Sequence, residues 1–222
     1  MKIGLNLKVP EAVEFSKSFQ STDIVYTHSN DYGVLSGLSN VSRMLSLTPD
    51  ILPGYVETLY NEKISNIAFN LEGSSLDLPE LVAKQKRMYD QVIELIGMKL
   101  VFVPSGQSLV RWPSSLSKYC HALCFQTQKY QIESPEHYID IIKMTINMIH
   151  INRPSLPVWV QVSVSPPTKH NTPIPKIIST IQSIFSNNVN AAGIYLHYLP
   201  EDWQKAEIIL SSLLVSRARQ NS

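Results

Sequence analysis

Glu72 closes the run "SNIAFNLE" (65–72) and is followed at once by Gly73 and two serines. A carboxyl group partly sheltered at a strand end has its pKa raised by desolvation, so it can give or take a proton near neutrality. Asn70 stands two residues earlier on the same strand face, roughly 6.5–7 Å away by strand rise. Its amide can orient the acid or hold a substrate. Similar polar residues end other apolar runs: His28 in "DIVYTHS", Gln126 and Gln128 in "CFQTQKYQ", Gln161 and Ser163 in "WVQVSVS", and Tyr195 and His197 in "GIYLHYLP". Asn6, Asn30 and Ser105 belong to the same wider group. Amides donate and accept without charge and suit hydroxyls or carbonyls. This set therefore predicts a small, largely neutral organic substrate, with Glu72 as principal general acid/base. His197 is the second catalytic candidate, because imidazole titrates near working pH. Asn70, Gln126, Gln128, Gln161, Tyr195, His28 and Ser163 are the expected substrate contacts. Each has a bland alternative: Glu72 as a solvated strand end, the glutamines as a structural network that satisfies buried amides, the histidines as structural side chains.

Several chemistries lack support in the sequence. A Ser163–His197–Glu72 triad is conceivable, but "VSVSPP" has no nucleophile-elbow signature. Lys129 is the one lysine read at the end of an apolar strand, which argues against a Schiff-base aldolase. No HxH or HExxH pattern suggests a metal, and no GxGxxG or P-loop suggests a nucleotide. No metal and no cofactor are therefore expected. "VPSGQS" (103–108) reads as a simple turn between a strand and a helix.

The elements that must carry these residues alternate along the chain. Seven strands are read at 2–8, 23–29, 65–72, 99–105, 121–128, 157–165 and 192–199. Helical patterns lie between them. "PEAVEFSKSFQ" begins with Pro at an N1-like position. "DLPELVAKQKRMYDQVIELIG" carries an Asp cap, an early Pro and Gly97 as its stop, and "SPEHYIDIIKMTINMIHI" repeats the capped start. Strand then helix, repeated, predicts parallel strands with crossover helices. Each strand has one apolar face and one small or polar face. Ile67, Phe69 and Leu71 oppose Asn66, Ala68 and Asn70, and Ile194 and Leu196 oppose Tyr195 and His197. An open parallel sheet, covered on both sides, reads apolar throughout. The split faces instead predict an α/β fold of (β/α) TIM-barrel type, with the site at the C-terminal strand ends. Seven strands leave the barrel one short, unless the weak 33–50 region or "GYVETLY" hides another element.

The length of 222 residues suits a single domain spanning 1–222. A net charge of +1 provides no field to attract nucleic acid or an anionic membrane, so the expected partner is a small molecule. The apolar N-terminal stretch, broken by Asn6 and Lys8, is too short for a signal peptide. No segment approaches the roughly 20 apolar residues of a membrane span. A cytoplasmic protein is expected. Cys120 and Cys124 read as reduced core residues.

The stretches "IAFNLEGSSLDLPELVAKQKRMYD", "KLVFVPSG", "ALCFQTQKYQIESPEHYID", "VWVQVSVSPP" and "AAGIYLHYLPEDW" together resemble a family of bacterial, largely actinobacterial proteins of unassigned function. Members carry a Tyr-Asp-x-Glu strand end, an Ile-Gln-Ala-Gln strand end and a late Gly-Phe-Trp-Leu-Asn strand. The resemblance implies a glycosidase-like (β/α) barrel. It sets Glu72 on the family's glutamate and Gln126 and Gln128 on its glutamine pair. Tyr195 and His197 fall on the polar face of the late strand. Asn70 stands where members tend to have aspartate. A glycosidase with two flanking acids needs a second carboxylate, and Asp31 and Asp77 are the nearest in sequence. Lyase, isomerase or cyclase chemistry with one carboxylate is therefore the first expectation. Hydrolysis of a glycoside and binding without catalysis are the alternatives.

Overall fold

The computed structural model describes residues 1–71, 76–131, 134–166, 172–187 and 189–220. Eight parallel strands close into a barrel in chain order: β1 (Ile3–Asn6), β2 (Ile24–His28), β3 (Ser42–Ser46), β4 (Asn66–Leu71), β5 (Lys99–Pro104), β6 (Ala122–Gln126), β7 (Val158–Ser163) and β8 (Gly193–His197). The eighth element is β3, which lies inside the weak 33–50 region. Its outward face interrupts the apolar pattern with Arg43, which is buried and donates to the Leu35 carbonyl at 3.4 Å. That one charge conceals the alternation of Val41, Leu45 and Leu47.

Helices α1 (Pro10–Ser16), α2 (Val56–Asn61), α3 (Leu78–Ile96), α4 (Gly106–Arg111), α5 (Pro113–Leu116), α6 (Pro135–Asn152), α7 (Ile174–Ser186) and α8 (Trp203–Gln220) follow the strands. The crossover after β2 is a 3-10 segment, Ser29–Leu35, instead of an α-helix. The expected caps are in place. Asp77 accepts from the Glu80 N–H at 3.0 Å, Ser134 accepts from the His137 N–H at 3.2 Å, and Gly97 ends α3 in the left-handed conformation. These bonds satisfy donors that a helix start leaves open.

The strand faces divide as alternation requires. Ile3, Leu5, Ile67, Phe69, Phe125, Val160, Ile194 and Leu196 are buried on the outside of the barrel, against the helices. Tyr26, Met44, Ala68, Val101, Val103, Cys124, Trp159 and Tyr195 pack inside it. The strands are staggered. The line of partners runs from Asn6 at the end of β1 through Tyr26, Met44 and Asn66 to Lys99 at the start of β5. Such stagger is the tilt a closed barrel needs. Two glycines make room for the rings that fill the lumen. A Cβ on Gly4 would lie 2.5 Å from the Tyr195 ring, and one on Gly193 would lie 2.6 Å from the Trp159 ring. Among the described residues, the packed lumen leaves open space toward the C-terminal ends of the strands.

At the opposite end, Asp23 is fully buried and joins three elements. Its carboxylate accepts from the Ile3 N–H at 2.9 Å, the Gln20 N–H at 2.8 Å, and Arg217 Nη1 at 2.8 and 2.9 Å. Arg217 belongs to α8, so this pair ties the last helix to the seam beside β1. Removing one partner of a buried pair strands the other charge. Asp23→Ala is expected to cost about 3–5 kcal/mol of unfolding free energy. Urea denaturation of the variant beside the wild type measures that loss.

Candidate active site

A cavity of about 160 Å³ opens at the C-terminal mouth, lined by Asn6, Lys8, Tyr26, His28, Met44, Asn70, Val103, Cys124, Gln161, Tyr195 and His197. Of the residues expected from the sequence, Asn70, Gln161, Tyr195, His197 and His28 converge here. His28 is the exposed rim residue, with its ring 5.3 Å from that of Tyr26. Gln126 stands just behind the wall. It is 8% exposed, and its Nε2 donates to Asn70 Oδ1 at 3.4 Å, so it positions Asn70. Glu72 lies outside the described residues. Its place is known from the chain alone, directly after Leu71, the last residue of β4.

Gln128 and Ser163 do not line the cavity either. Gln128 does not continue the face of Gln126, because β6 ends at Gln126. Thr127 locks the strand end instead, bonding the Gln161 carbonyl at 2.6 Å and the Tyr138 hydroxyl at 2.7 Å. The Tyr130 N–H then bonds the Thr127 carbonyl at 2.9 Å and closes a turn, which ends the alternation before Gln128. Ser163 is buried, and its hydroxyl is used locally as acceptor for the Ser165 N–H at 3.2 Å. The Gln131 amide bonds both backbone groups of Ser163, at 2.6 and 3.0 Å, as a neighbouring strand would.

Other residues were missed from the sequence. Lys8 lines the cavity two residues beyond Asn6 at the end of β1, which corrects the view of Lys129 as the one strand-end lysine. Lys129 is exposed and reaches Gln107 Oε1 at 3.4 Å. The parity of Asn6 and Lys8 was the available signal. Tyr26 shares parity with His28, and Cys124 with Gln126, and both line the cavity. Cys124 is thus more than a core thiol: its S–H donates to Gln161 Oε1 at 3.7 Å. Cys120 is buried away from the site, and burial pushes its thiol up to about 12. Asp77 is occupied as the cap of α3, and Asp31 sits in the exposed 3-10 segment.

The cavity holds polar atoms whose bonding capacity is unused. Among the described residues, Asn6 Oδ1, Gln161 Nε2 and His197 Nδ1 are buried atoms with no hydrogen-bond partner. Such atoms cost free energy unless a ligand or water meets them. The Cys124 bond orients the Gln161 amide. His197 differs from its expected role. Its pKa is lowered from 6.5 to about 4: burial is the largest cause, the Lys8 ammonium adds to it, and Asp202 opposes. Its imidazole is therefore neutral at pH 7 and offers a hydrogen-bonding group. Among the described residues, no three of His, Cys, Asp and Glu gather to hold a metal ion.

No protein-family model and no curated protein matches this sequence. Solved structures do share its fold. A family 18 chitinase from Crocus vernus superimposes with a TM-score of 0.64 at 13% identity, covering 96% of this chain and 95% of the other. A GH18 chitinase from Pseudoalteromonas aurantia gives 0.62 at 10%, covering 96% and 98%. A dihydropteroate synthase from Stenotrophomonas maltophilia gives 0.52 at 11%, covering 99% and 92%. These TIM-barrel enzymes establish the fold of this chain as a TIM barrel. Their differing chemistries show why fold alone does not name a reaction.

The depressed His197 pKa has a measurable consequence. Between pH 6.5 and about 4 the unfolded chain binds a proton on this imidazole that the folded chain does not. The stabilisation is present above pH 6.5 and is lost as pH falls through about 4. The full change is about 3 kcal/mol. Unfolding free energies at stepped pH are expected to fall more steeply in wild type than in His197→Gln across this window.

Proposed function

We propose that this barrel is an enzyme that moves a proton on a small polar substrate held at the C-terminal mouth, with Glu72 as general acid/base. The observation that carries the reading is the cluster of buried, unused polar atoms of Asn6, Gln161 and His197 in one cavity at the mouth. Barrel active sites are built at that end. Asn70 lines the same cavity, and Glu72 follows it by two residues in the chain. His197 is neutral and retains hydrogen-bonding capacity, which leaves the proton-transfer role to the carboxyl group.

In this reading Glu72 takes a proton from the substrate or delivers one to a leaving group. Gln161, Asn70 and the neutral His197 imidazole bind polar groups, and Gln126 steadies Asn70. Tyr26, Tyr195, Met44 and Val103 form walls that limit access of water. Reactions that need one carboxylate, such as elimination, isomerisation or cyclisation, fit best. The similarity to chitinases favours hydrolysis of a glycoside as a second reading. Flanking acids would then be required, but Asn70 holds the place beside Glu72 and the described lining contributes no carboxylate. Absence of nucleic-acid and membrane partners belongs to the same proposal, in keeping with the near-neutral charge. Among the described residues, no helix is long and apolar enough to cross a membrane. A cytoplasmic location is also proposed, supported by the two free thiols.

Wild type and Glu72→Gln can be incubated with a library of small polar metabolites and substrate loss followed by mass spectrometry. The wild type is expected to consume a compound that the variant turns over about 10²–10⁴-fold more slowly. Equal turnover by both proteins would exclude Glu72 as the acid/base. Saturable binding without turnover in either protein would mark the barrel as a binding module.

A further inference from the structure

We infer that the ligand of the mouth is an uncharged carboxamide or lactam, whose carbonyl accepts from Gln161 Nε2 and whose own N–H donates to Asn6 Oδ1. The inference rests on the mouth being the substrate site, and it names the groups that a neutral substrate must carry. Asn6 and Gln161 are each 4% exposed, and both line the cavity. Among the described residues, Asn6 Oδ1 and Gln161 Nε2 have no hydrogen-bond partner. The first is an acceptor and the second a donor. Gln161 Oε1 takes the Cys124 S–H at 3.7 Å, which sets the end of the amide that is left over. The backbone of Asn6 is held by Tyr198, whose hydroxyl donates to the Asn6 carbonyl at 2.7 Å and accepts from the Lys8 N–H at 3.1 Å.

One unpaired donor and one unpaired acceptor in a single small cavity select the ligand's polarity. A carboxylate presents acceptors only and leaves Asn6 Oδ1 unmet. An ammonium presents donors only and leaves Gln161 Nε2 unmet. Each mismatch keeps a buried polar atom unsatisfied. A group with both a donor and an acceptor serves the pair, and a hydroxyl or an amide is such a group. The strands decide between them. Asn6 ends β1 and Gln161 belongs to β7, with β8 between the two. Neighbouring strands lie about 4.8 Å apart, so the two backbones are separated by roughly 9–10 Å across the sheet. Tyr195 of β8 partners Gln161 on one side and Gly4 on the other, so Asn6 also stands two residues further along. An amide, with N–H and C=O on different atoms, suits that separation better than a single oxygen. The His197 Nδ1 atom donates in one neutral tautomer and accepts in the other, so it tolerates either end of the ligand. Met44 and Val103, both buried, offer an apolar wall to the hydrocarbon part. The cavity of about 160 Å³ is close to the roughly 150 Å³ that admits one benzene molecule. The part of the ligand inside the barrel is therefore of about six heavy atoms.

γ-Butyrolactam and γ-butyrolactone share one ring and one carbonyl, and differ in an N–H against a ring oxygen. Butyrate, an anion, and cyclopentanol, an alcohol, are close to them in size. Each is titrated into the full chain near neutral pH, with the imidazole resonances of His197 followed by NMR and identified by their loss in His197→Gln. The lactam is expected to bind saturably and at least about tenfold more tightly than the other three, the scale of leaving a buried polar atom unpaired. Asn6→Leu removes the preference of lactam over lactone while lactone binding persists, which also shows that the variant is folded. Asn6→Ala serves the same purpose should Asn6→Leu fail to fold. Gln161→Met, or Gln161→Leu in its place, weakens lactam and lactone alike while the dispersed amide spectrum of a folded chain is retained. Equal wild-type affinities for lactam and lactone, a preference that survives loss of the Asn6 amide, or unchanged lactam affinity without the Gln161 amide each overturns the inference. So does the absence of a saturable response to the lactam. Butyrate binding as tightly as the lactam assigns the mouth to an anion, and cyclopentanol doing so assigns it to an alcohol; either overturns the inference as well. These readouts need no turnover, so they fail independently of the test on Glu72→Gln.

Discussion

The seam between β1 and β8 is the constraint on which the barrel depends. β1 has only four residues and must pair with β2 on one side and β8 on the other. Side-chain contacts reinforce that short strand at both ends. At the N-terminal end, the buried Asp23 carboxylate holds the Ile3 N–H and the Arg217 guanidinium together. At the C-terminal end, the Tyr198 hydroxyl bridges the Asn6 carbonyl and the Lys8 N–H. Parallel strands gain their neighbours only after long crossovers, so closing the first strand on the last orders most of the chain at once. Charge at one end and a neutral bridge at the other divide the work. The ionic tie sits at the face where barrels are stabilised, and the tyrosine tie sits where they react.

The lumen shows how the same architecture confines the site. Small residues on β1 and β8 leave room for the rings of Tyr195 and Trp159. Those rings, with Met44, Val101 and Cys124, fill the barrel from below. Buried polar atoms are then left unsatisfied at the upper edge of the packing, in Asn6, Gln161 and His197. A core built for stability alone would pair such atoms or replace them with apolar groups. Their concentration in one small cavity is the observation on which the proposed ligand site rests. Burial and the Lys8 ammonium together remove the charge of His197 at neutral pH.

Much of this was legible in the chain. Ile67 and Phe69 against Ala68 and Asn70, or Leu196 against Tyr195, exposed the split faces that separate a barrel from an open sheet. The caps at Asp77 and Ser134 marked where helices begin. The strand of Arg43 was hidden because a buried charge satisfied by a distant carbonyl looks, in sequence, like a loop residue. Gln128 lies outside the described cavity lining because β6, and with it the alternation, stops at Gln126. That stop is imposed by Thr127 bonding to Gln161 and Tyr138, two partners far away in the chain. Ser163 lies outside the described lining, and its hydroxyl accepts from the Ser165 N–H.

By itself, the sequence determined the properties that arise from local geometry: which residues alternate, where helices are capped, and that polar side chains gather at strand ends. Side-chain direction repeats every two residues along a strand, so a face can be read without knowing its neighbours. The tertiary structure decided which of those ends meet. Closure and stagger bring Lys8 of the first strand end beside His197 of the last, and the bonds of Thr127 end β6 before Gln128. The change in His197, from a titrating base to a neutral hydrogen-bonding group, arises from burial and from Lys8. Neither influence is a property of its own segment, because desolvation and Coulomb interactions depend on distance in space and not on separation along the chain.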